Sequence, residues 1–301
     1  MNETAQLFRS VRAARAWVNA VIARPETAPA AGCVMMKPGN DEPPVFLIPG
    51  ATGSVLQLAP LASAMSIPMP VYAIKPRGME EDETPCRHLC EMAEHAIAVM
   101  TVVQGQGPYL LVGYSAGGLV ALEMARQLAA TGRDVKLVVL LDTYPSREVW
   151  PLRCHVEVLV RQAVRAIWFL RRCTLRQAAR EVTRRVRSLF WYLAASGVKL
   201  IEPPPLVIEG TDAASRRVHE ATYNAGEAYR PPRYAGKVVF VQPECVTNLE
   251  PRQPRRVWGQ FLGDLEIRQV PGSHFGMLNE GAEAAAKEIS RYLADAVASS
   301  P

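Results

Sequence analysis

The sequence predicts an α/β fold, with a mostly parallel central sheet flanked by helices and a helical lid insertion. Short β-rich runs recur along the chain, and helical patterns separate most of them. Strands that alternate with helices form parallel sheets covered on both faces. The alternation stops between residues 147 and 235, where about ninety residues contain no convincing strand. Such a stretch is too long for an ordinary loop, so it predicts a helical insertion over one edge of the sheet.

The predicted strands are six short runs rich in branched and aliphatic residues. They lie at Val45 to Ile48, Val71 to Ile74, Tyr109 to Val112, Val135 to Leu141, Lys237 to Val241 and Leu265 to Val270. Apolar residues at helical spacing predict helices at Leu89 to Val103, Ala116 to Ala130 and Glu280 to Val297. Gly132, just after the second helix, is a typical helix C-cap.

Length and composition favour a globular chain. It has 301 residues, 49% of them apolar and 21% charged, which is enough to bury a substantial core. We expect an N-terminal helix and linker over residues 1–43 and one domain over residues 44–301. The six cysteines are too sparse for a disulfide scaffold, and the apolar runs fall far short of the roughly 18 residues that span a bilayer. We therefore expect a cytoplasmic protein.

Positive charge is concentrated in one segment. Residues 151–200 hold eleven basic and two acidic residues, whereas the whole chain has a net charge of +5. The arginines recur at three- and four-residue spacing with apolar residues on another face, which indicates an amphipathic helix. A solvated helix face explains this charge, but so would an acidic protein partner, ligand phosphates or an anionic membrane surface reached with Trp168 and Phe169. Among these, the membrane surface is disfavoured. Nucleic acid is disfavoured because no recognition motif accompanies the charge.

The nucleophile candidate is Ser115. It lies in Gly113-Tyr114-Ser115-Ala116-Gly117, a G-x-S-x-G pattern between a predicted strand and a predicted helix. A sharp turn at that junction strains the serine backbone and requires small neighbours. The turn would project the hydroxyl from the carboxyl edge of the sheet at a helix N-terminus, where developing negative charge is favoured.

The base and acid candidates follow later strands. A serine hydroxyl needs a histidine as base and a carboxylate to orient that histidine. His274 lies in the loop after the last predicted strand, at the same sheet edge as Ser115. Asp142 returns to that edge after one helix and one strand, and Glu244 is the alternative acid after a later strand. The order Ser, Asp, His matches the α/β-hydrolase arrangement.

Two backbone N–H groups are the candidate oxyanion donors. One belongs to Ala116, directly after the nucleophile, and the other to Ala51 in the glycine-rich loop after the first predicted strand. Beside these, we expect Tyr114 and Thr52 to contact substrate. We expect no metal: Cys86-Arg87-His88-Leu89-Cys90 offers three possible ligands, but buried or solvent-exposed thiols explain it better.

Several separated motifs together resemble the thioesterase domains of nonribosomal peptide and polyketide synthetases. The resemblance extends over about residues 44–293 and rests on Phe46-Leu47-Ile48-Pro49-Gly50, Val71-Tyr72-Ala73-Ile74, Gly107-Pro108-Tyr109, Gly113-Tyr114-Ser115-Ala116-Gly117-Gly118, Leu140-Leu141-Asp142-Thr143 and Pro271-Gly272-Ser273-His274-Phe275-Gly276-Met277-Leu278. It implies an α/β-hydrolase fold in which Ser115 is acylated, His274 shuttles protons and Asp142 orients His274.

The resemblance also implies a substrate and a partner. The acyl, peptidyl or polyketide chain would arrive on the phosphopantetheine thiol of a carrier protein or of CoA, with no cofactor bound by this chain itself. Release would occur by hydrolysis or macrocyclisation beneath a helical lid that coincides with the arginine-rich insertion, and that insertion would meet an acidic carrier protein. Two alternatives stay open: a carboxylesterase or lipase on the same fold, and a non-catalytic carrier-binding protein.

Overall fold

The computed structural model describes residues 32–170, 212–246 and 250–298. In these residues, seven strands form one sheet in the order β1-β3-β2-β4-β5-β6-β7. From β3 to β7 the neighbouring strands are parallel, whereas β1 runs antiparallel to β3 at one edge. The strands are β1 Cys33–Lys37, β2 Val45–Ile48, β3 Val71–Ile74, β4 Tyr109–Tyr114, β5 Val135–Leu141, β6 Tyr234–Cys245 and β7 Leu262–Ser273.

Helices cover both faces of the sheet and bury two cores. One core packs helices α1 and α7 against one face, and the other packs α2 and α3 against the opposite face. Side chains of β2 alternate between them, because Val45 and Leu47 join the first core and Phe46 and Ile48 the second. The helices are α1 Ala59–Ala64, α2 Leu89–Val103, α3 Ala116–Ala130, α4 Leu152–Leu170, α5 Ala213–Ala228, α6 Pro254–Trp258 and α7 Ala282–Ala298.

The predicted α/β fold is confirmed, with one correction at its edge. Residues 33–37, expected to belong to a linker, form β1 and pair with β3 through Cys33 and Ile74. The predicted N-terminal helix and the arginines between residues 171 and 187 lie outside the described residues. Helices α4 and α5 are the described parts of the predicted insertion. Among the described helices, none is both long and apolar enough to cross a membrane.

Candidate active site

Ser115 lies in a strained turn between β4 and α3. Its backbone has φ 53° and ψ −125°, a region that non-glycine residues rarely adopt. Small neighbours permit the turn: a Cβ on Gly113 would lie 2.4 Å from the Cα of Gly118, and a Cβ on Gly117 would lie 2.2 Å from the carbonyl oxygen of Pro49. Ser115 is half-buried and starts a 15-residue helix, so its hydroxyl lies at the positive end of the α3 dipole.

Asp142 directly follows β5, the strand next to β4. Its backbone is also in the left-handed region, with φ 45°, and its N–H donates to the carbonyl of Val241 over 2.9 Å. The side chain is fully buried, and its Oδ2 lies 2.8 Å from Nδ1 of His274. These two residues are 132 positions apart in the sequence, and the parallel sheet brings them together at one edge.

His274 directly follows β7 and keeps 17% of its side chain exposed. Because Nδ1 faces the carboxylate, Nε2 is the ring nitrogen through which His274 can exchange a proton with another group. Oδ1 of Asp142 is buried without a hydrogen-bond partner among the described residues. A buried, incompletely paired carboxylate is stabilised when the neighbouring imidazole becomes positive, so the pair suits general-base chemistry.

Tyr114 joins this pair through the histidine. It was expected to contact substrate, but its side chain is only 3% exposed and its ring stacks on the His274 imidazole. Burial, and then the negative charge of Asp142, raise the pKa of Tyr114 above its ordinary value. The hydroxyl therefore stays protonated and serves as a donor.

The loop after β2 supplies the other predicted donor. A hydrogen bond of 2.9 Å from the N–H of Gly53 to the carbonyl of Gly50 closes a turn around Ala51 and Thr52. In such a turn the N–H groups of the two central residues are not used by the turn itself. A Cβ on Gly50 would lie 3.5 Å from the Cβ of Ser115, so the loop adjoins Ser115. Ala116 is the first residue of α3, so its N–H has no carbonyl partner within the helix.

Thr143 is a site residue whose role sequence reasoning missed. Its hydroxyl donates to the carbonyl of Ser115 over 2.9 Å, and its own carbonyl accepts from the indole of Trp258 over 2.9 Å. A Cβ on Gly118 would lie only 2.0 Å from the hydroxyl oxygen of Thr143, so Gly118 leaves the space that the Thr143 side chain occupies. The motif Leu140-Leu141-Asp142-Thr143 was the available signal, but the sequence does not show which residue the hydroxyl meets.

The remaining candidates lie elsewhere. Glu244, the alternative acid, is exposed near the end of β6. The backbone N–H groups of Arg87 and His88 donate to the carboxylate of Glu91, so this segment forms the start of α2. In the part of the chain that the structure describes, no three His, Cys, Asp or Glu side chains are grouped to hold a metal ion.

An apolar cleft adjoins the loop after β2. Its volume is about 500 Å³ when the space open to solvent is included, and Gly50 and Gly117 form the wall nearest Ser115. Helix α5, which belongs to the insertion, forms another wall of the cleft. Its other lining residues are mostly apolar and include Ile48, Ile74, Pro85, Met92, Val120 and Val218.

The sheet, the turn at Ser115 and the Asp142–His274 pair define an α/β-hydrolase fold, and the comparisons with known proteins agree. The thioesterase domain family model matches residues 43–293. The chain therefore belongs to the thioesterase domain family, whose members are hydrolases.

Two synthetases contain related sequence. The chain is 26% identical to atromentin synthetase of Tapinella panuoides over 255 residues, covering 82% of this chain and 26% of the synthetase. It is 36% identical to a dimodular nonribosomal peptide synthase of Bacillus subtilis (strain 168) over 111 residues, covering 37% of this chain and 5% of the synthase. The chain thus spans about a quarter or less of the length of these relatives.

Two solved structures have the same fold. The NocB thioesterase domain from the nocardicin cluster superposes with a TM-score of 0.61 at 22% identity, over 88% of this chain and 100% of that domain. YbtT, a type II thioesterase from the yersiniabactin pathway, superposes with a TM-score of 0.59 at 16% identity, over 89% of this chain and 100% of that protein.

Proposed function

We propose that this chain releases an acyl, peptidyl or polyketide group from a phosphopantetheine thioester through an acyl-serine intermediate. The observation that carries the proposal is the 2.8 Å contact between His274 Nδ1 and Asp142 Oδ2, made at the sheet edge where Ser115 occupies its strained turn. That contact favours the tautomer in which Nδ1 carries the proton and Nε2 can accept one. The thioesterase family supplies the class of bond that is cleaved.

The first half-reaction forms the acyl-serine. His274 takes the proton of the Ser115 hydroxyl as its oxygen attacks the thioester carbonyl. The N–H groups of Ala51 and Ala116 donate to the oxyanion, and the α3 dipole favours its charge. The intermediate then collapses, the carbon–sulfur bond breaks, and His274 returns the proton to the departing thiolate.

The second half-reaction frees the product. Water, or an amine or hydroxyl of the acyl chain itself, attacks the acyl-serine while His274 again accepts the proton. Water gives hydrolysis, and an internal nucleophile gives macrocyclisation. The bond between the acyl carbon and the Ser115 oxygen then breaks, and His274 returns the proton to that oxygen. The apolar cleft beside Gly50 supports an acyl group with an apolar portion.

The partner we propose is an acidic carrier protein that docks on α4. This helix exposes Val156, Val160 and Val164 at four-residue spacing, and exposed Arg153 and Arg165 flank that row. An apolar row flanked by arginines is complementary to an acidic helix with an apolar centre. The synthetase names among the relatives agree with a carrier-borne substrate.

The decisive experiment compares thioester and ester turnover. Thiol release from an acyl-N-acetylcysteamine would be measured beside hydrolysis of the nitrophenyl ester of the same acyl group, with wild type and Ser115→Ala, and intact mass would report the acyl adduct. We expect thioester turnover and an adduct in wild type, and neither in Ser115→Ala. Turnover of the ester alone would instead identify an esterase.

A loaded carrier protein separates the remaining outcomes. If the small thioester is inert but an acylated carrier is turned over, then the carrier contributes to substrate binding. If both are inert and no adduct forms while the protein is folded, the catalytic proposal is wrong, and binding of the carrier alone would support a non-catalytic role.

A further inference from the structure

Tyr114 connects the nucleophile to the histidine loop. It is the last residue of β4 and directly precedes Ser115. Its hydroxyl donates to the backbone carbonyl of His274 over 3.0 Å. Its ring stacks on the imidazole with centroids 4.9 Å apart and planes 29° apart. One buried side chain thus contacts both the backbone and the ring of His274.

The same ring also borders the loop after β2. A Cβ on Gly50 would lie only 3.0 Å from Cδ1 of Tyr114. The ring therefore lies between the loop that carries Ala51 and the loop that carries His274. Tyr114 is anchored on a central strand of the sheet, and its ring packs against both loops. The ring therefore helps to set the position of both loops relative to Ser115.

Asp142 and Tyr114 restrain His274 in different ways. Asp142 contacts the imidazole at Nδ1, in the hydrogen-bonding direction, whereas Tyr114 covers one face of the ring. An edge contact alone lets the ring pivot about that hydrogen bond, and a stacked face limits the pivot. The aromatic face also favours the positive charge that His274 gains when it accepts the proton.

We propose that Tyr114 is a positioning residue that orients His274 to take the proton of Ser115, an inference that rests on the function proposed above. The proton passes from the Ser115 oxygen to Nε2 of His274, and Tyr114 neither gains nor loses one. Its burial makes the hydroxyl a donor to the His274 carbonyl rather than a contact for substrate.

Three variants test the proposal. Tyr114→Phe removes the hydroxyl and keeps the stacked ring, and Tyr114→Leu removes both. Tyr109→Phe is the matched control, because Tyr109 is fully buried at the opposite end of β4 and its hydroxyl also donates to a backbone carbonyl, that of Gly105 at 3.2 Å. The thioester assay would give kcat and KM for each variant, with unfolding midpoints measured alongside.

We expect both Tyr114 variants to lower kcat, and Tyr114→Leu to lower it more than Tyr114→Phe. Loss of one hydrogen bond should reduce kcat by about 3- to 10-fold in Tyr114→Phe, and loss of the ring as well should reduce it by about 100-fold in Tyr114→Leu. KM should change by less than about twofold, since the buried ring does not contact substrate. Tyr109→Phe should keep the wild-type kcat.

A spectroscopic readout tests positioning without turnover. The proton on Nδ1 of His274, held by Asp142, should give a downfield NMR resonance in protein labelled with 15N-histidine. The resonance should persist in Tyr114→Phe and broaden or disappear in Tyr114→Leu, while Tyr109→Phe should match wild type.

Several results would overturn the inference. A rise in KM at constant kcat would make Tyr114 a substrate contact, and an equal loss of kcat in Tyr109→Phe would make the effect one of general stability. An unchanged kcat in Tyr114→Leu would overturn it directly, as would an unchanged resonance. Wild-type protein without Ser115-dependent turnover would contradict the proposed function instead, and the NMR comparison would still decide whether Tyr114 positions His274.

Discussion

The hydroxyl of Thr143 donates a hydrogen bond of 2.9 Å to the backbone carbonyl of Ser115. Thr143 is the residue after Asp142, so this bond joins the turn at Asp142 to the turn at Ser115. Both turns place a non-glycine residue at positive φ, 53° at Ser115 and 45° at Asp142. Such conformations persist when the surroundings impose them, and strained backbone of this kind is concentrated at functional sites.

Replacing Asp142 with Asn should nearly abolish turnover without unfolding the protein. Asn keeps the shape of the side chain but removes the charge that stabilises protonated His274, and its amide can hold the imidazole in the unproductive tautomer. We expect kcat to fall by about 10³- to 10⁴-fold with little change in KM. Steady-state kinetics on the acyl-N-acetylcysteamine substrate would measure it.

Glu244→Gln is the matched comparison for that variant. Glu244 is the other acid that the sequence offers after a strand, and it is exposed. We expect this variant to retain wild-type kinetics. A large loss in Glu244→Gln, with Asp142→Asn still active, would assign the orienting role to Glu244.

The placement of most candidate site residues could be predicted from the sequence because parallel strands end at one edge. Once β4, β5 and β7 are recognised, Ser115, Asp142 and His274 are expected at the same edge of the sheet, whatever their separation along the chain. The small residues around Ser115 also predict the turn, because only small side chains fit there. Both signals are local, so they can be recognised in the sequence.

Contacts between distant segments could not be predicted in the same way. Strand β1 follows a Pro- and Ala-rich stretch, and its strand character comes from antiparallel pairing with β3, a partner about 40 residues away. Tyr114 directly precedes Ser115, the candidate nucleophile, and was predicted to contact substrate. Its packing against His274 depends on where a loop 160 residues later passes.

Replacing Gly117 with Ala should destabilise the protein and impair catalysis together. The new Cβ would lie 2.2 Å from the carbonyl oxygen of Pro49, a backbone atom, so α3 and the loop after β2 must separate. We expect a loss of about 2–4 kcal/mol in the free energy of unfolding. The sign is diagnostic, since Ala otherwise favours a helix by about 1 kcal/mol over Gly. Urea unfolding monitored by circular dichroism would measure it.

Gly105→Ala is the control for backbone crowding. A Cβ there would approach nothing closer than the carbonyl of Thr101, at 3.7 Å. We expect a change within about 0.5 kcal/mol and full activity. Equal stability of the Gly117→Ala and Gly105→Ala proteins would contradict the tight contact between α3 and the loop after β2.

Reversing two charges on α4 should impair only carrier-borne substrates. In Arg153→Glu/Arg165→Glu, attraction to an acidic carrier becomes repulsion, and the site around Ser115 is unchanged. At low salt we expect KM for an acyl group on an acidic carrier protein to rise by about tenfold, with unchanged kinetics on the matching N-acetylcysteamine thioester. The difference should shrink at high salt, where exposed charges are screened.

Arg291→Glu on α7 reverses one charge at another surface, half of the charge change made on α4. Arg291 pairs with Glu288 of its own helix at 3.1 Å. If the α7 variant raised KM for the carrier as much as the α4 variant, net charge rather than a docking surface would explain the effect. If neither variant changed KM, then carrier docking would not depend on these arginines.

Glu123 should make stability depend on pH in the acidic range. This carboxylate is buried in α3, where Arg126 and Gln127 of the same helix and the Tyr229 hydroxyl donate to it. Burial alone would raise its pKa, but these hydrogen bonds prevail and lower the pKa of Glu123 from 4.5 to about 2. A depressed folded-state pKa contributes stability above the unfolded-state value, and that contribution is lost as pH falls through the folded-state value.

Glu123→Gln should therefore lose about 2 kcal/mol of unfolding free energy at pH 7, and its difference from wild type should shrink as pH falls from about 5 to 2. Urea unfolding at several pH values would measure both. Exposed Glu220 supplies the control, and Glu220→Gln should track wild type throughout. A constant gap between Glu123→Gln and wild type would mean that packing, not the carboxylate charge, supplies the stability. Tyr229, which directly follows α5, donates its hydroxyl hydrogen bond to Glu123 in α3. A stability difference that shrinks at low pH would therefore show that the Glu123 charge helps to hold α3 against the end of α5.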